Sequence, residues 1–421
     1  MIMQDNEKKP ALRFKGFTDP WEQRKLGEIA VFSKGVGYSK NDLCEEGTPI
    51  ILYGRLYTKY ETCIFDVDTF VKEKAGSVHS KGGEVIVPAS GETAEDISIA
   101  SVVVKPGILL GGDLNIVSPT AEYNSAFLAL TISSGATHKY LSSLAQGKSV
   151  VHLHNADIQS VSAKFPTKRE QEKIHLLFGK IDTLITLHQR KYEKLVNIKK
   201  SMLDKMFPQN GASVPEIRFK GFTDPWEQRK LAELTKTITT GKSVNSDEGE
   251  VSDGDIGVLK TSCVSYDRFN SSESKPVVKS EQQLVKCAVE KDSVIVSRMN
   301  TPERVGACGY VSTDFPNLFL PDRLWKLKFQ DTVDTYFVYM MLVSSAYKEK
   351  ITSMASGTSG SMYNIPKETF LNLQLVIPAK IDEQKQLGKI LKKIDTLITL
   401  HQRKLEKLQN IKKSCLEKMF V

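Results

Sequence analysis

Two tripeptides in this chain have the residue types of a phosphate-binding loop. Gly-Lys-Ser occurs at Gly147 and again at Gly241. A loop that cradles phosphates also needs a glycine five residues before that tripeptide, because its backbone N–H groups must approach the anion closely. Ser142 and Lys236 hold those two positions. The sequence therefore predicts no nucleotide phosphate site at either place.

Asp-Pro-Trp is a second pattern with possible chemistry, and it also occurs twice, at Asp19–Trp21 and Asp224–Trp226. It resembles the D-P-P-[YFW] pocket of amino-methyltransferases, but it lacks the second proline. A helix start fits better, with aspartate as the N-cap, proline in the first turn and Glu22 or Glu227 three residues after the cap. The chain has no GxGxxG, HExxH or GxSxG motif. We therefore expect no catalysis by this chain alone.

The six cysteines are scattered, with no CxxC pair and no His–Cys cluster at zinc-ligand spacing. We interpret them as reduced thiols of a cytoplasmic protein. The N-terminal residues have no apolar core region, and no apolar run has membrane-spanning length. The sequence therefore predicts no metal site, no secretion and no membrane partner. The cysteines are Cys44, Cys63, Cys263, Cys287, Cys308 and Cys415.

The segments that would position any functional residue occur twice in the sequence. RFKGFTDPWEQRKL occurs at Arg13–Leu26 and again at Arg218–Leu231, and KIDTLITLHQRK occurs at Lys180–Lys191 and again at Lys393–Lys404. The period is far longer than any solenoid or propeller unit, so it indicates one large module duplicated in tandem. The residues between the repeated passages diverge almost completely. The pattern predicts a fixed frame that carries two different inserts.

The second repeated passage has the three-and-four apolar spacing of a coiled coil. Each predicted helix has about 37 residues and a length of roughly 55 Å. His188 and His401 interrupt the apolar seam at matching positions. They are expected to meet near a pseudo-twofold axis if the helices pair antiparallel, and exposed helix histidines are the alternative. The predicted seam is Ile174, Leu177, Ile181, Leu184, His188, Leu195 and Ile198, with Leu387, Ile390, Ile394, Leu397, His401, Leu408 and Ile411.

The divergent inserts have the same order of predicted elements. In the first, residues 83–90 and 99–107 read as strands and 125–144 as a helix; in the second, residues 291–299 and 324–329 read as strands and 334–354 as a helix. The predicted fold class is α+β, with two tandem mixed α/β domains, two long antiparallel coiled-coil helices and pseudo-twofold symmetry. The predicted divisions are an N-terminal segment 1–20, a first domain 21–165, a central helix 166–207, a linker with the repeated entry 208–225, a second domain 226–377 and a C-terminal helix 378–421.

The net charge of +8 is concentrated on the two predicted helices. Residues 170–207 hold eight Lys or Arg against five Asp or Glu, and residues 383–420 hold ten against four. The two segments together carry +9, so the rest of the chain carries about −1. A basic helix is typical of a polyanion-binding protein, and a lysine-rich solvated surface is an equally good interpretation.

A duplicated mixed domain, each copy followed by a long helix with EQ, KIDTLI.LHQRK, EKL, IKKS and KMF, resembles the specificity subunit of a type I restriction-modification system. The resemblance covers essentially the whole chain and implies a subunit with no catalytic activity. Each target-recognition domain would read one half of a bipartite, asymmetric site on double-stranded DNA. The antiparallel helices would set the gap between the half-sites.

The resemblance also implies partners and their cofactors. Two modification subunits would bind S-adenosylmethionine and methylate adenine, and restriction subunits would use ATP and Mg. No cofactor is expected on this chain itself. The modification subunits are expected to bury apolar helix residues outside the seam, such as Leu176, Phe178, Leu187 and Val196.

Base-reading residues are expected in the inserts, with ordinary surface loops as the alternative. Side chains able to make two bonds to guanine or adenine occur after a strand of the second insert, and hydroxyl or carboxylate groups hold the counterpart places of the first. Further candidates lie in the glycine turns after each insert helix. The candidates are Ser90, Glu92, Thr93, Lys148, His152 and His154 in the first domain, and Arg298, Asn300, Arg304, Thr358, Ser359 and Tyr363 in the second.

Two other classes of protein remain open at this stage. One is a coiled-coil scaffold whose two inserts bind protein partners, and the other is a hydrolase or transferase with an unrecognised site. Binding to DNA weakens steeply as salt rises because phosphate contacts release counterions. Salt dependence therefore separates a DNA reader from a protein scaffold.

Overall fold

Two long helices, each about twice as long as a small domain is wide, account for much of the helical structure. The computed structural model describes residues 9–147, 150–208, 212–265, 268–357 and 362–420. The first long helix has 38 residues and the second has 39. The helices are α1 (Leu26–Ile29), α2 (Arg55–Thr58), α3 (Ala94–Ile97), α4 (Ser125–Ile132), α5 (Gly135–Leu144), α6 (Asn155–Ser160), α7 (Lys168–Lys205), α8 (Leu231–Leu234), α9 (Thr335–Leu342), α10 (Ser345–Ser353), α11 (Lys367–Leu371) and α12 (Ile381–Met419).

Short strands are the most numerous elements of the two inserts. In the described part of the chain, the 3₁₀ turns Lys40–Asp42, Thr261–Cys263 and Lys279–Leu284 connect some of them. The strands before α7 are β1 (Glu22–Lys25), β2 (Ala30–Lys34), β3 (Leu43–Cys44), β4 (Thr48–Ile51), β5 (Cys63–Ile64), β6 (Phe70–Val71), β7 (Glu84–Pro88), β8 (Ser90–Gly91), β9 (Ser101–Val103), β10 (Leu109–Leu110), β11 (Leu114–Pro119), β12 (Val151–His152) and β13 (Ser162–Phe165). Those after α7 are β14 (Glu227–Lys230), β15 (Thr235–Thr240), β16 (Gly257–Leu259), β17 (Val264–Ser265), β18 (Arg268–Phe269), β19 (Ser274–Pro276), β20 (Ala288–Val289), β21 (Ser293–Ser297), β22 (Met299–Asn300), β23 (Cys308–Val311), β24 (Phe315–Phe319), β25 (Leu324–Phe329), β26 (Tyr363–Asn364) and β27 (Gln374–Ile377).

The chain divides into two compact units, and the division passes through both long helices. The first unit comprises Met1–Gln189 and Gln402–Val421, and the second comprises Arg190–His401. Each unit therefore holds one mixed domain, the first half of the helix that follows it and the last half of the other helix. The boundaries drawn from the sequence differ in this respect, since they set each helix apart from the domains.

The first domain is built from two main sheets. One has five strands in the order β2-β11-β7-β9-β5, and the other has four in the order β10-β4-β6-β3. All five residues of the central strand β7 are buried, as expected of a strand that is covered on both faces. Helix α4 is buried along its whole length except at its first residue, and it packs on β7 and β9.

The second domain repeats this plan with a different arrangement at its edges. Its sheets have the orders β15-β25-β21-β23 and β19-β16-β24-β20. Helix α9 takes the place of α4, and both begin at a side-chain cap: Asn124 accepts from the N–H of Phe127, and Asp334 accepts from the N–H of Phe337. The prediction of two tandem mixed domains, each followed by a long helix, is confirmed.

Each predicted insert helix is two helices in the structure. Residues 125–144 form α4 and α5, and residues 334–354 form α9 and α10. The first break falls before Gly135, whose φ is +62°. A Cβ atom there would lie 2.9 Å from the carbonyl oxygen of Phe420. The glycine therefore allows Phe420, just after α12, to pack against this turn, a contact that the local apolar pattern cannot reveal.

The predicted helix start at each DPW motif is wrong. Glu22–Lys25 forms strand β1, which pairs antiparallel with β13, and Glu227–Lys230 forms β14, which pairs with β27. Trp21 and Trp226 are buried in the two main hydrophobic clusters. Because the tryptophan anchors the chain in the core, the following residues extend along a strand edge instead of turning into a helix.

Candidate nucleic-acid interface

A buried ion pair fastens each domain to the helix that follows it. In the first unit, Nε and Nη2 of Arg13 donate to the two carboxylate oxygens of Glu170 at 2.7 and 2.8 Å. In the second unit, Arg218 donates in the same way to Glu383 at the same two distances. The glutamate side chains are only 0% and 2% exposed. A two-bond contact of this kind fixes orientation as well as distance.

The glutamine after each of these glutamates completes the joint. The side chain of Gln171 donates to the carbonyl of Pro166 at 2.9 Å and accepts from the N–H of Asn124 at 2.8 Å. Gln384 makes the matching bonds to the carbonyl of Pro378 and the N–H of Asp334. The repeated EQ passage therefore holds the start of each long helix against the capped start of the insert helix.

The last residues of each long helix lie in the core of the unit that contains the other domain. The ring of Phe207, at the end of α7, lies 6.2 Å from Trp226 and 5.6 Å from Phe337. The ring of Phe420, just after α12, lies 6.5 Å from Trp21. The repeated KMF passage is therefore a core anchor in both copies.

The entry passage of each domain also contacts the end of a long helix through the backbone. The N–H of Leu12 donates to the carbonyl of Lys418 at 2.9 Å, and the N–H of Ile217 donates to the carbonyl of Lys205 at the same distance. These residues lie at matching places in the two repeats. The same joint is thus made once in each unit.

A second ion pair, also made twice, joins the two helices within each unit. Asp182 of α7 lies 2.6 Å from Lys412 of α12, and Lys199 of α7 lies 2.8 Å from Asp395 of α12. Asp182 and Asp395 are equivalent positions of the repeat, as are Lys199 and Lys412. The two helices therefore make the same polar contact in both units.

The direction of pairing is visible in the first unit. Phe178 of α7 lies 6.0 Å from Phe420, whereas Asp182, one turn later on α7, contacts Lys412, two turns earlier on α12. The antiparallel pairing predicted from the sequence is confirmed here. The pseudo-twofold relation between the halves stays a prediction.

The predicted seam residues differ in burial. Ile174, Ile181, Leu387 and Ile394 are buried. The seam residues of intermediate exposure are Leu177, His188, Leu195, Ile390, Leu397, His401 and Leu408. Contacts of these eleven side chains across the seam stay a prediction, as does the meeting of the two histidines, which lie in different units.

The seam assignment is wrong for Leu184, Ile198 and Ile411, which are 43%, 38% and 40% exposed. The residues that follow Leu177, Ile390 and Leu397 are buried, and these are Phe178, Leu391 and Ile398. Phe178 and Leu391 belong to the two main domain cores. The first turns of each long helix therefore pack against their own domain as well as against the other helix. The buried residues of each helix are for this reason not the ones that a coiled coil of two helices alone would bury.

The loops predicted to read bases come together in space in each domain. Strand β8 pairs antiparallel with β12, which places Ser90 opposite His152. Strand β22 pairs antiparallel with β26, which places Asn300 opposite Tyr363. We call these two-stranded pairs the first ribbon (Ser90–Gly91 with Val151–His152) and the second ribbon (Met299–Asn300 with Tyr363–Asn364).

The first ribbon presents hydroxyl, imidazole and carboxylate groups. Ser90 is buried, and its hydroxyl lies 3.2 Å from Nδ1 of His152. His152 and His154 are exposed, and their rings are nearly parallel with centroids 6.4 Å apart. Glu92 and Thr93 are exposed, although the Thr93 hydroxyl caps α3. His152, His154 and Glu92 are therefore the groups most accessible to a ligand here.

The second ribbon presents arginine in place of those groups. Arg304 is exposed, and Arg298 is partly buried with its Nε donating to the carbonyl of Asp322 at 2.8 Å. Tyr363 is partly buried.

Asn300 is a correction to the predicted set, since it is 8% exposed. Its amide nitrogen donates to the Ser297 hydroxyl at 3.0 Å, and its amide oxygen accepts from the N–H of Thr301 at 2.9 Å. Both ends of the amide bond to the protein, so Asn300 supports the ribbon from inside. Three further predicted residues, Lys148, Thr358 and Ser359, lie outside the described residues.

A cleft of about 1550 Å³ opens beside the first ribbon. Its walls include Lys40, Tyr53, Tyr57 and Glu92. The Tyr57 hydroxyl donates to the carbonyl of Ser90 at 2.7 Å, and burial raises the pKa of Tyr57, which keeps this donor protonated. The Tyr53 ring contacts Tyr57 edge-on at 6.2 Å.

Tyr53 and Tyr57 of this cleft are not among the residues predicted from the sequence. Their only sequence signal is the spacing of tyrosines in the YGRLYTKY segment at residues 53–60, which is short and does not by itself indicate a cleft.

Several repeated apolar side chains remain accessible on the outer faces of the long helices. Leu187 and Leu400 occupy equivalent positions and are both 44% exposed. Leu176 and Val196 are also exposed, as predicted for residues outside the seam. Phe178 is a correction, since it is 1% exposed within the core of the first unit.

In the described part of the chain, no three His, Cys, Asp or Glu side chains gather as metal ligands would. Burial raises the pKa of Cys63 to about 11 and that of both Cys263 and Cys308 to about 12, so these thiols are protonated at neutral pH. The described helices include none with the length and apolar character needed to cross a bilayer.

Known proteins share this architecture. The model of the type I restriction modification DNA specificity domain matches residues 18–197 and 223–410. The specificity subunit of the type I restriction enzyme MjaVIII from Methanocaldococcus jannaschii is 22% identical over 403 residues, which are 94% of this chain and 91% of that protein. The EcoEI specificity subunit from Escherichia coli is 23% identical over 200 residues, which are 47% of this chain and 34% of that protein.

A solved structure shows the same fold. The type I restriction-modification S subunit from M. genitalium aligns with a TM-score of 0.67 over 98% of this chain and 99% of that one, at 14% identity. The family model matches both repeats, and its matches cover most of the chain. This chain therefore belongs to the family of type I restriction-modification DNA specificity subunits.

Proposed function

We propose that this chain reads a bipartite, asymmetric site on double-stranded DNA, with one half-site read by each domain. The first ribbon with its cleft would face one half-site, and the second ribbon would face the other. The long helices would set the gap between them. In this proposal the chain has no catalytic step of its own.

The observation that carries the proposal is the pair of ribbons. Both occupy the same place in the fold, each is built from two loops far apart in sequence, and their residues differ. The joints around them, by contrast, are made by identical residues: Arg13–Glu170 and Arg218–Glu383. A protein that reads two different half-sites in a fixed relation needs this combination of constant joints and variable ribbons, because distinct base pairs offer distinct donors and acceptors in the major groove.

The repeated exposed face of the helices supports a pair of identical partners. Leu187 and Leu400 are equally exposed, and Ile198 and Ile411 are similarly so. Apolar side chains that recur at the same places on two helices suit two copies of one binding surface. We assign this face to two modification subunits, each of which would bury one copy.

The chemistry of the assembled complex would belong to those partners. The modification subunits would bind S-adenosylmethionine and methylate adenine, and restriction subunits would bind ATP and Mg. This chain would contribute the choice of site and the placement of the modification subunits on it.

The methylation pattern of genomic DNA, with and without this chain and in the presence of the modification subunits, tests the proposal. We expect a bipartite adenine motif that appears only when the chain is present. Purified complex should also bind duplex containing that motif more tightly than random duplex at one fixed salt concentration. Equal binding to both duplexes would contradict sequence reading.

The role of the helices has a separate test. Inserting seven residues at matched places in α7 and α12 should lengthen the gap between the half-sites and leave both half-sites unchanged. Exchanging residues 35–150 for the corresponding segment of another family member is the matched control, since it should change one half-site and keep the gap. An unchanged gap after the insertion would show that the helices do not set it.

A further inference from the structure

The two ribbons can be compared residue by residue through their backbone hydrogen bonds. The N–H of Ala89 donates to the carbonyl of Asp113, and the N–H of Arg298 donates to the carbonyl of Arg323. On the other side, Leu153 donates to the carbonyl of Ala89, and Ile365 donates to that of Arg298. Ala89 and Arg298 are therefore equivalent positions, as are Asp113 and Arg323.

Charge reverses at these equivalent places. Residues 88–97 contain three carboxylates and no Arg or Lys, whereas residues 297–306 contain two arginines and one carboxylate. Beside them, exposed Asp113 stands in the first domain where exposed Arg323 stands in the second. The two ribbons share the same backbone hydrogen bonds but carry side chains of opposite charge, so the two surfaces should bind different chemical groups.

The arginines around the second ribbon are available to a ligand. The side chains of Arg304 and Arg323 make no hydrogen bond or ion pair with the residues that the structure describes, among them 268–357 and 362–420. The guanidinium of Arg298 donates through Nε to the carbonyl of Asp322 at 2.8 Å and through Nη1 to Oδ1 of Asn364 at 3.5 Å. Arg298 is thus held in place, whereas the guanidinium groups of Arg304, which lies near the charge of Glu303, and of Arg323 make no hydrogen bond or ion pair among the described residues.

Around the first ribbon, acceptor groups are available instead. Glu92 and Asp113 are exposed, and their carboxylates make no hydrogen bond or ion pair among the described residues. Lys40 lies on the wall of the same cleft and likewise has no ion-pair partner there. Lys40 could contact a phosphate of a nucleic acid, and the carboxylates of Glu92 and Asp113 could accept hydrogen bonds from its base amines.

These groups match different base edges. Arginine makes two bonds to O6 and N7 of guanine, and a carboxylate accepts from the exocyclic amine N4 of cytosine. We propose that the second domain reads guanine through Arg323, supported by Arg298 and Arg304, and that the first domain reads an exocyclic base amine through Glu92 and Asp113. This inference rests on the proposed function and adds which base chemistry each half-site contains.

Methylation patterns of single variants, assembled with the modification subunits, test the inference. Arg323→Ala should relax one guanine position of one half-site, with a loss of discrimination of about ten- to a hundredfold, and should leave the other half-site intact. Glu92→Ala or Asp113→Ala should relax a cytosine or adenine position of the other half-site. Arg229→Ala removes a partly exposed arginine of strand β14 in the same domain and should leave both half-sites unchanged.

The results separate the inference from the proposed function. A clear bipartite motif that stays unchanged in Arg323→Ala and in the triple variant with Arg298→Ala and Arg304→Ala overturns the inference and leaves the proposed function standing. Relaxation at an A·T pair in the arginine variants also overturns it. Absence of any bipartite motif with the unaltered chain overturns the proposed function, and the inference with it.

Discussion

Removing one partner of the buried ion pair in the second unit should destabilise the protein severely. In Arg218→Ala, the Glu383 carboxylate keeps one side-chain donor, Nε1 of Trp226 at 3.3 Å, and its side chain is only 2% exposed. A buried charge left without its partner costs about 3–5 kcal/mol. Urea unfolding followed by tryptophan fluorescence measures the loss, because Trp226 is adjacent to the pair.

The matched exposed pair provides the scale for this effect. Arg229 and Glu233 are also bonded, but both side chains are more than 40% exposed. Arg229→Ala should therefore cost only about 0.2–1 kcal/mol. If Arg218→Ala cost no more than Arg229→Ala, burial would not be what gives the joint its strength, and the reasoning would be refuted.

The double variant Arg218→Met with Glu383→Leu separates the charge from the shape of the joint. It removes both charges while filling similar volume, so it should recover most of the stability that the single variant loses. A double variant as unstable as Arg218→Ala would mean that the two hydrogen bonds themselves, and not the stranded charge, hold the joint. Arg13→Ala should behave like Arg218→Ala, with a cost at the upper end of the range, because Nε1 of Trp21 has no hydrogen-bond partner.

Three further outcomes are expected. Phe420→Ala should lower the unfolding free energy of the first unit by about 3–5 kcal/mol, seen as faster proteolysis of the first domain, although the residue follows the second domain in sequence. Burial lowers the pKa of His175 below its ordinary value of 6.5. The stability that the neutral imidazole contributes is therefore complete above pH 6.5 and declines as the pH falls below it. In thermal unfolding measured against pH, His175→Gln should reduce the loss of stability between about pH 7 and pH 5. Cys263 and Cys308, whose pKa values burial raises to about 12, should react with iodoacetamide at pH 8 only at the rate of unfolding, as mass spectrometry of labelled peptides would show.

The long helices and the strands of the inserts could be predicted because their signals are local and periodic. The strand prediction at residues 83–90 contains β7, and that at 324–329 coincides with β25. Apolar alternation or an apolar run decides such an element within a few residues. The break between α4 and α5 could not be predicted, because Gly135 is required by a contact with Phe420, nearly three hundred residues away in the sequence.

The rotation of the long helices illustrates the same limit. A three-and-four spacing fits two neighbouring stripes of apolar residues along the helix about equally well, one through Leu177 and one through Phe178. Only the packing of Phe178 in the core of the first unit decides between them. Ile174 and Ile181, which belong to both stripes, are buried, whereas Leu184, which belongs to one, is exposed.

The ribbons show what sequence reasoning can do for a site of this kind. The loops around Ser90 and His152 are separate candidates in the sequence, and the structure places them on adjacent strands. Their pairing depends on sheet topology, which no local pattern contains. The equivalence of Asp113 with Arg323 was likewise invisible, because the inserts have almost no identity and only the backbone hydrogen bonds align them.

The joint between Leu12 and Lys418 repeats the joint between Ile217 and Lys205, but only the second is spanned by a continuous peptide. Each unit thus contains the first half of one long helix and the last half of the other. The same joint therefore forms both where the chain is continuous and where it is not. We expect a circularly permuted chain, cut between Lys205 and Ile217 and joined between Lys418 and Leu12, to form the same two units.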